Sequence, residues 1–204
     1  MKIHLLQEII DVLRFKKLSK NLSKNTAFLS FLMNILSIFE YNSRETKIKN
    51  MLLRFAGASI GKNVHIGYDV KIYNCQNLEI EDNVIINDCN KFYCWHKINI
   101  QKNSFTSVNV VFVAGSHNTE DYEDLLENQS IVIEKGCWIG ANSTIIGGAI
   151  LQDGCIVGAN SILLEKIYPS FSIIAGNPAK IIKKRNYAEI IKQPIIYNIK
   201  EIIR

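Results

Sequence analysis

Residues 133–168 read IEKGCW, IGANST, IIGGAI, LQDGCI, VGANSI, LLEKIY, a period of six held through six consecutive hexads. An aliphatic residue opens every hexad: Ile133, Ile139, Ile145, Leu151, Val157 and Leu163. The fifth place is small in the first five (Cys137, Ser143, Ala149, Cys155, Ser161), and only Ile167 departs. A helix repeats its face every 3.6 residues and a strand every two, so this period suits neither over such a length. It suits a triangular coil in which each hexad supplies one short strand and one turn, and three hexads close a circuit. The opening aliphatic residue then points into the prism and stacks on its equivalent in the next coil, about 4.8 Å along the axis. The small residue tucks into a corner, where a large side chain would collide. Gly or Asn supplies the turn, because those residues tolerate left-handed backbone angles.

Working outward, the same period appears earlier in IGKNVH, IGYDVK and IYNCQN from Ile60. It returns in a shifted phase in IEDNVI and INDCNK from Ile80, and again in IQKNSF from Ile100. A coil buries its apolar face only against its neighbours, so such an array needs several coils and a cap at each end. The expected fold is an all-β core, a parallel β-helix over residues 47–185. An N-terminal helical segment (1–46) precedes it and a short helical tail (186–204) follows.

The rhythm breaks once. SVNVVFVAG, residues 107–115, is β-branched and apolar, and then AGSHNTED, residues 114–121, turns polar at His117. No pattern returns until about Ile131, so 118–130 reads as a loop leaving the coil. Among the four histidines His117 alone stands where repeats yield to a loop. His4 falls in the N-terminal segment, His65 closes a hexad and is expected to face solvent, and His96 in the irregular FYCWHK reads as structural.

The remaining chain narrows the function classes. The N-terminus is amphipathic and lacks the small-residue cleavage site of a signal peptide. Its apolar run Thr26–Phe39 is too short to span a bilayer, which takes about 20 residues. Two helices packed on the main domain are one reading; an interfacial membrane anchor, given the flanking basic residues, is the other. The net charge of +5 is modest and the lysines are scattered, without the basic stripe of a nucleic-acid binder. Five cysteines without paired spacing point to a reducing cytoplasm. Cys137 and Cys155 share the corner position with Ser143 and Ala149, so packing accounts for them.

The segment 131–185, from IVIEKGCW to KIIKKR, resembles the hexapeptide-repeat acyltransferases, whose β-helix is left-handed. Within that superfamily it is similar to bacterial sugar O-acetyltransferases of the galactoside, maltose and colanic-acid or capsule types. KIKNMLLRFAGASIGKNVHIG, residues 47–67, is similar to the capsule type, and AGNPAK, residues 175–180, is a specific family marker. Only the resemblance implies the hand of the coil, an exception to the right-handed crossover rule.

The resemblance implies acetyl-CoA as acyl donor, a sugar hydroxyl as acceptor and direct transfer without an acyl-enzyme or a metal. His117 would be the general base, and the 118–130 loop would shape the acceptor pocket; its Glu120, Asp121, Glu123 and Asp124 either bond sugar hydroxyls or orient the imidazole, or serve only to solvate the loop. Asn87 matches an asparagine that contacts substrate. Trp138 and Ala141 would line the groove for the pantetheine arm, with Ala159 one coil later, and Lys180 and Lys183 would reach the coenzyme A phosphates. The chain departs from the family at Leu164, Glu165 and Lys166, where Thr-Lys-Asp is frequent, which removes a polar contact to the donor. A cytoplasmic homotrimer with sites between subunits is implied, with peripheral contact at the inner face of the membrane as an extension of the anchor reading. Three alternatives stay open: N-acetylation of a nucleotide-linked amino sugar, a structural β-helix without catalysis, and a zinc-dependent carbonic anhydrase. Against the last, His65, His96 and His117 lack a closely spaced ligand pair, and Cys89, Cys94 and His96 are loosely set.

Overall fold

The hexads wind into coils. A computed structural model describes residues 43–118, 120 and 126–186. After helix α1 (Ser43–Phe55), the first coil holds β1 (Ser59–Ile60), β2 (His65–Ile66) and β3 (Lys71–Tyr73). The second holds β4 (Leu78–Ile80), β5 (Ile85–Ile86) and β6 (Lys91–Tyr93); the third, β7 (Ile98–Ile100), β8 (Phe105–Thr106) and β9 (Val111–Val113). Beyond the loop come β10 (Ile131–Ile133), β11 (Trp138–Ile139) and β12 (Thr144–Ile146), then β13 (Ile150–Leu151), β14 (Ile156–Val157) and β15 (Ile162–Leu163). The last coil is β16 (Ile167–Tyr168), β17 (Ser172–Gly176) and the returning β18 (Ala179–Lys184). Every third strand stacks into one sheet, giving orders β1-β4-β7-β10-β13-β16, β2-β5-β8-β11-β14-β17-β18 and β3-β6-β9-β12-β15. All neighbours are parallel except β17 and β18.

Register follows the opening residues. Ile133 faces Leu151, Ile139 faces Val157 and Ile145 faces Leu163, eighteen residues apart, and all six are buried. The lower coils are longer: Ile60 faces Ile80 and Ile80 faces Ile100, twenty residues apart. The two extra residues sit at the corner before the first sheet, where coil one makes a 3-10 turn, Cys75–Asn77, and this is why the phase slips at Ile80 and Ile100. The last coil is one residue short. Tyr168 faces Leu151 and is buried, while Ile167 turns outward, 57% exposed.

The small fifth-place residues are fully buried, and their polar atoms are satisfied by turn carbonyls, as burial requires. Ser143 and Ser161 Oγ donate to Gly158 O at 3.0 and 2.7 Å, and the Cys137 thiol donates to Gln152 O at 3.3 Å. At one corner Asn63, Asn83 and Asn103 take left-handed φ of 53°, 58° and 61° and form a side-chain ladder, Asn63 Nδ2 to Asn83 Oδ1 and Asn83 Nδ2 to Asn103 Oδ1. Phe92 stacks on Phe112 inside the prism with centroids 4.6 Å apart.

Each end of a coil stack leaves backbone groups without a ladder partner. At the first coil α1 supplies partners. Lys49 Nζ donates to Gly67 O, Asn50 Nδ2 to Val64 O, and Arg54 to the carbonyls of Ile60 and Gly61, at 2.7–2.9 Å. The helix ends at Gly57, whose φ of 98° closes the last turn while Ala58 N donates to Leu53 O. α1 also corrects one expectation: His65 points outward on β2, yet the helix packs over that strand and leaves it only 7% exposed. Burial lowers the His65 pKa, Asp88 opposes the shift and Lys49 adds to it. At the other end β18 folds back, and Arg185 Nη1 donates to Gly154 O at 2.8 Å. The expected helices of residues 1–42 and 187–204 lie outside the described residues.

Candidate active site

The third sheet leads the chain to His117. β9 ends at Val113, Ala114 turns inward and is fully buried, and Gly115, Ser116 and His117 follow at the corner, with the His117 side chain exposed. Gly115 is required by close approach: a Cβ there would lie 2.7 Å from Trp95 Cβ in the coil below. The described ends of the excursion are tied down. Leu126 N donates to Ser116 O at 2.9 Å, Glu120 N donates to Asn118 Oδ1 at 3.0 Å, and buried Gln129 lies against Gly147 as the chain re-enters β10. Glu120 is exposed; Asp121, Glu123 and Asp124 lie outside the described residues.

The other candidates gather at a different corner, between the second and third sheets. Asn87 follows β5 in the second coil, Ala141 follows β11 in the fourth and Ala159 follows β14 in the fifth, so all three lie along one edge. That edge is narrow because its residues are small. A Cβ on Gly140 would fall 2.6 Å from Val157 O, and one on Gly158 would fall 3.0 Å from Ala175 Cβ. Trp138 stands on the outer face of β11, 42% exposed, stacked on Phe105 at 5.5 Å, and its Nε1–H donates to Ser107 Oγ at 3.2 Å. Lys180 pairs with Ala175 at the top of this edge, Lys183 pairs with Ile173 on the adjoining sheet, and both lysines are exposed. Leu164, Glu165 and Lys166 are exposed as well, and Glu165 packs over Gly148 near the His117 corner.

Asn87 is held more tightly than a free substrate ligand would be. Its Nδ2 donates to Thr106 O at 2.8 Å and its backbone N–H to Thr106 Oγ1 at 3.3 Å, leaving Oδ1 as its available acceptor. Thr106 is itself an inward residue, 1% exposed, in a place that elsewhere holds an aliphatic side chain. The hexad TSVNVV carried that signal by opening on a hydroxyl. Trp95 and Gln129, flanking the His117 corner, were also without a sequence signal, since both fall where the period fails. His96 is half-buried and its backbone N–H donates to Ala114 O at 2.7 Å.

Cys137 and Cys94 are fully buried and offer no nucleophile. The hydrogen bond to the Cys155 sulfur, and then burial, hold Cys137 well above the usual thiol range, and burial pushes Cys94 up to about 12. Among the described residues no group of three His, Cys, Asp or Glu side chains converges as a metal site would need. Two shallow depressions lie on the third corner, one bordered by Glu81, Asp82 and Lys102 and the other by Lys135, Asp153 and Arg185, away from His117.

Residues 130–164 match the family described as bacterial transferase hexapeptide (six repeats). Over 134 residues the chain is 33% identical to the Escherichia coli K12 protein named "Putative colanic acid biosynthesis acetyltransferase WcaF", covering 66% of this chain and 73% of that one. The chain belongs to the hexapeptide-repeat acyltransferases. Its β-helix is shared with a maltose O-acetyltransferase from Clostridium difficile 630, with a TM-score of 0.69, 23% identity, and coverage of 79% and 84% of the two chains. It is shared equally with a hexapeptide-repeat acetyltransferase of Vibrio cholerae solved with acetyl coenzyme A, with a TM-score of 0.68, 22% identity, and coverage of 78% and 85%. The coil of this acyltransferase is accordingly left-handed.

Proposed function

We propose that this acyltransferase carries acetyl from acetyl-CoA to a hydroxyl of a sugar in a surface polysaccharide or its precursor, with His117 as general base. Its kinship with a protein named for colanic acid biosynthesis supports the acceptor class, and the acetyl-CoA complex of the Vibrio neighbour supports the donor. A sugar hydroxyl is far too weak an acid to ionise near neutral pH. The imidazole takes its proton as the oxygen attacks the thioester carbonyl, work that a histidine suits because it titrates near neutrality. The new C–O bond forms a tetrahedral oxyanion, which a backbone N–H of the coil wall stabilises. Collapse breaks the C–S bond, and the proton passes from the imidazolium to the departing coenzyme A sulfur.

The observation that carries this reading is the separation of corners. His117 leaves the third sheet on its far side, whereas Asn87, Trp138, Ala141, Ala159 and Lys180 follow or overlie the second. One face of the prism lies between them. A second copy that sets its second-sheet corner against the His117 corner completes the site, and three copies around one axis make three such sites, with the acetyl donor lying in the seam. The reaction belongs on the cytoplasmic side, where acetyl-CoA is present; the N-terminal segment would hold the trimer near the membrane face. Among the described residues no helix is long and apolar enough to cross a membrane.

Subunit mixing tests the arrangement. His117→Ala should lower kcat by about 10²–10⁴, the usual worth of a positioned base, and leave the KM for acetyl-CoA unchanged. Ala159→Trp should block the donor groove. Co-assembled from these two inactive chains, the protein should regain activity at seams that pair an intact His117 with an intact groove. Light scattering should give a trimer. A fully active monomer, or co-assembled chains that stay inactive, would refute the shared site.

A further inference from the structure

Trp95 lies outside every role assigned above, and its place in the fold is specific. It follows β6, one coil below the departure of the loop, and its side chain is 56% exposed. Trp is enriched at contact surfaces because its ring carries a large apolar area with a polar handle, and one held exposed on a rigid frame is placed to act as such a surface. The frame here is rigid. Asn77 Nδ2 donates to both Cys94 O and Trp95 O, at 3.0 and 3.1 Å, and the next residue, His96, gives its N–H to Ala114 O at 2.7 Å. From above, the bare backbone of Gly115 rests on the indole: a Cβ there would meet Trp95 Cβ at 2.7 Å, Cδ1 at 3.1 Å and Cγ at 3.2 Å. Trp95 is therefore held against the residue two places before His117, on the corner where the base is exposed.

We infer that Trp95 is the acceptor platform, stacking its indole on the C–H face of the sugar ring whose hydroxyl His117 deprotonates. The inference rests on the acetyl-transfer reading above and adds the part of the site that selects a pyranose. A hexopyranose presents a patch of axial C–H bonds on one face and hydroxyls around its rim. A flat ring can hold the apolar patch by dispersion and removal of water while the rim hydroxyls stay free to be presented to a base. A rigid platform loses little side-chain entropy on binding, which is the usual advantage of Trp at contact sites. Trp138, the other tryptophan in the chain, stands at the second corner with its N–H committed to Ser107, so the two indoles serve different ligands.

A panel of methyl hexopyranosides of the gluco, galacto, manno and fuco series, with acetyl-CoA, separates the possibilities on the full-length protein. With the panel member turned over fastest, Trp95→Ala should raise the acceptor KM at least about tenfold and leave the acetyl-CoA KM within twofold. Trp95→Phe should restore the acceptor KM to within about threefold, since it keeps a ring face. Saturation-transfer NMR reads the same contact without turnover: transfer to the axial ring protons should be strong in the wild type and lost in Trp95→Ala. Equal acceptor KM or equal transfer in wild type and Trp95→Ala overturns the platform, as does a wild type that binds no panel member. Loss of the trimer in Trp95→Ala would overturn it in favour of a subunit contact. A wild type that binds sugars through Trp95 but transfers no acetyl would refute the acetyl-transfer reading and leave the platform standing.

Discussion

Gln129 lies against Gly147 so closely that a Cβ on the glycine would sit 2.7 Å from Gln129 Oε1 and 2.8 Å from its backbone oxygen. A side chain alone cannot relieve that contact, because one of the colliding atoms is main chain. This pair anchors the point where the chain, after its excursion from the His117 corner, rejoins the coil at β10.

Gly147→Ala therefore moves the return of the loop. Overpacking at a closed site costs about 1–3 kcal/mol. A thermal melt should show a Tm several degrees lower, and kcat should fall more than the KM for acetyl-CoA rises, since the donor corner is untouched. A variant with unchanged Tm and kcat would show that the loop anchor lies elsewhere.

Acid should loosen the α1 cap through His65. Burial depresses its pKa, so the unfolded chain, with an ordinary value of about 6.5, takes up the proton first. Stability from this group is complete above that value and is lost as pH falls below 6.5 and on through the lower folded value. Nearby Asp88 limits the loss and Lys49 adds to it. Melts between pH 7.5 and 5.5 should show the wild type losing Tm on acidification and His65→Gln losing less. Parallel curves would remove His65 as the cause.

Truncation should separate the segment before α1 from the cap itself. A chain starting at Ser43 keeps Lys49, Asn50 and Arg54 on the carbonyls of the first coil and should stay folded, with acetyl-CoA binding intact by calorimetry. A chain starting at Ala58 loses all three together with buried Leu53, leaves the apolar end of the prism open to water, and should aggregate or melt at markedly lower temperature. Equal melting of the two chains would mean that α1 contributes nothing as a cap.

Inside the prism, Ile145→Asp should abolish folding, because Ile145 is fully buried and a carboxylate has no partner there. Soluble expression and circular dichroism report this directly. Lys180→Ala, by contrast, should leave the fold intact and raise the KM for acetyl-CoA with a smaller change in kcat. An unchanged KM would take Lys180 out of the donor site.

The sequence by itself determined the repeat. Ile133, Ile139, Ile145, Leu151, Val157 and Leu163 recur in six because each answers to one local demand, an inward side chain at a fixed place in a strand-and-turn unit. A demand repeated that often survives any single exception. The same regularity singled out His117, since the break in period is visible without knowing where the chain goes next. Tertiary structure decided what lies one coil away and what covers an outward face. The two extra residues per lower coil, Tyr168 taking the inward place beside Ile167, and Thr106 binding Asn87 depend on which residue of one coil meets which residue of the next. His65 is buried only because α1 lies across β2, and Trp95 meets Gly115 only because twenty residues close a circuit. Such contacts join residues far apart in the chain through the register of the coils, and composition, spacing and period at either site do not record the other.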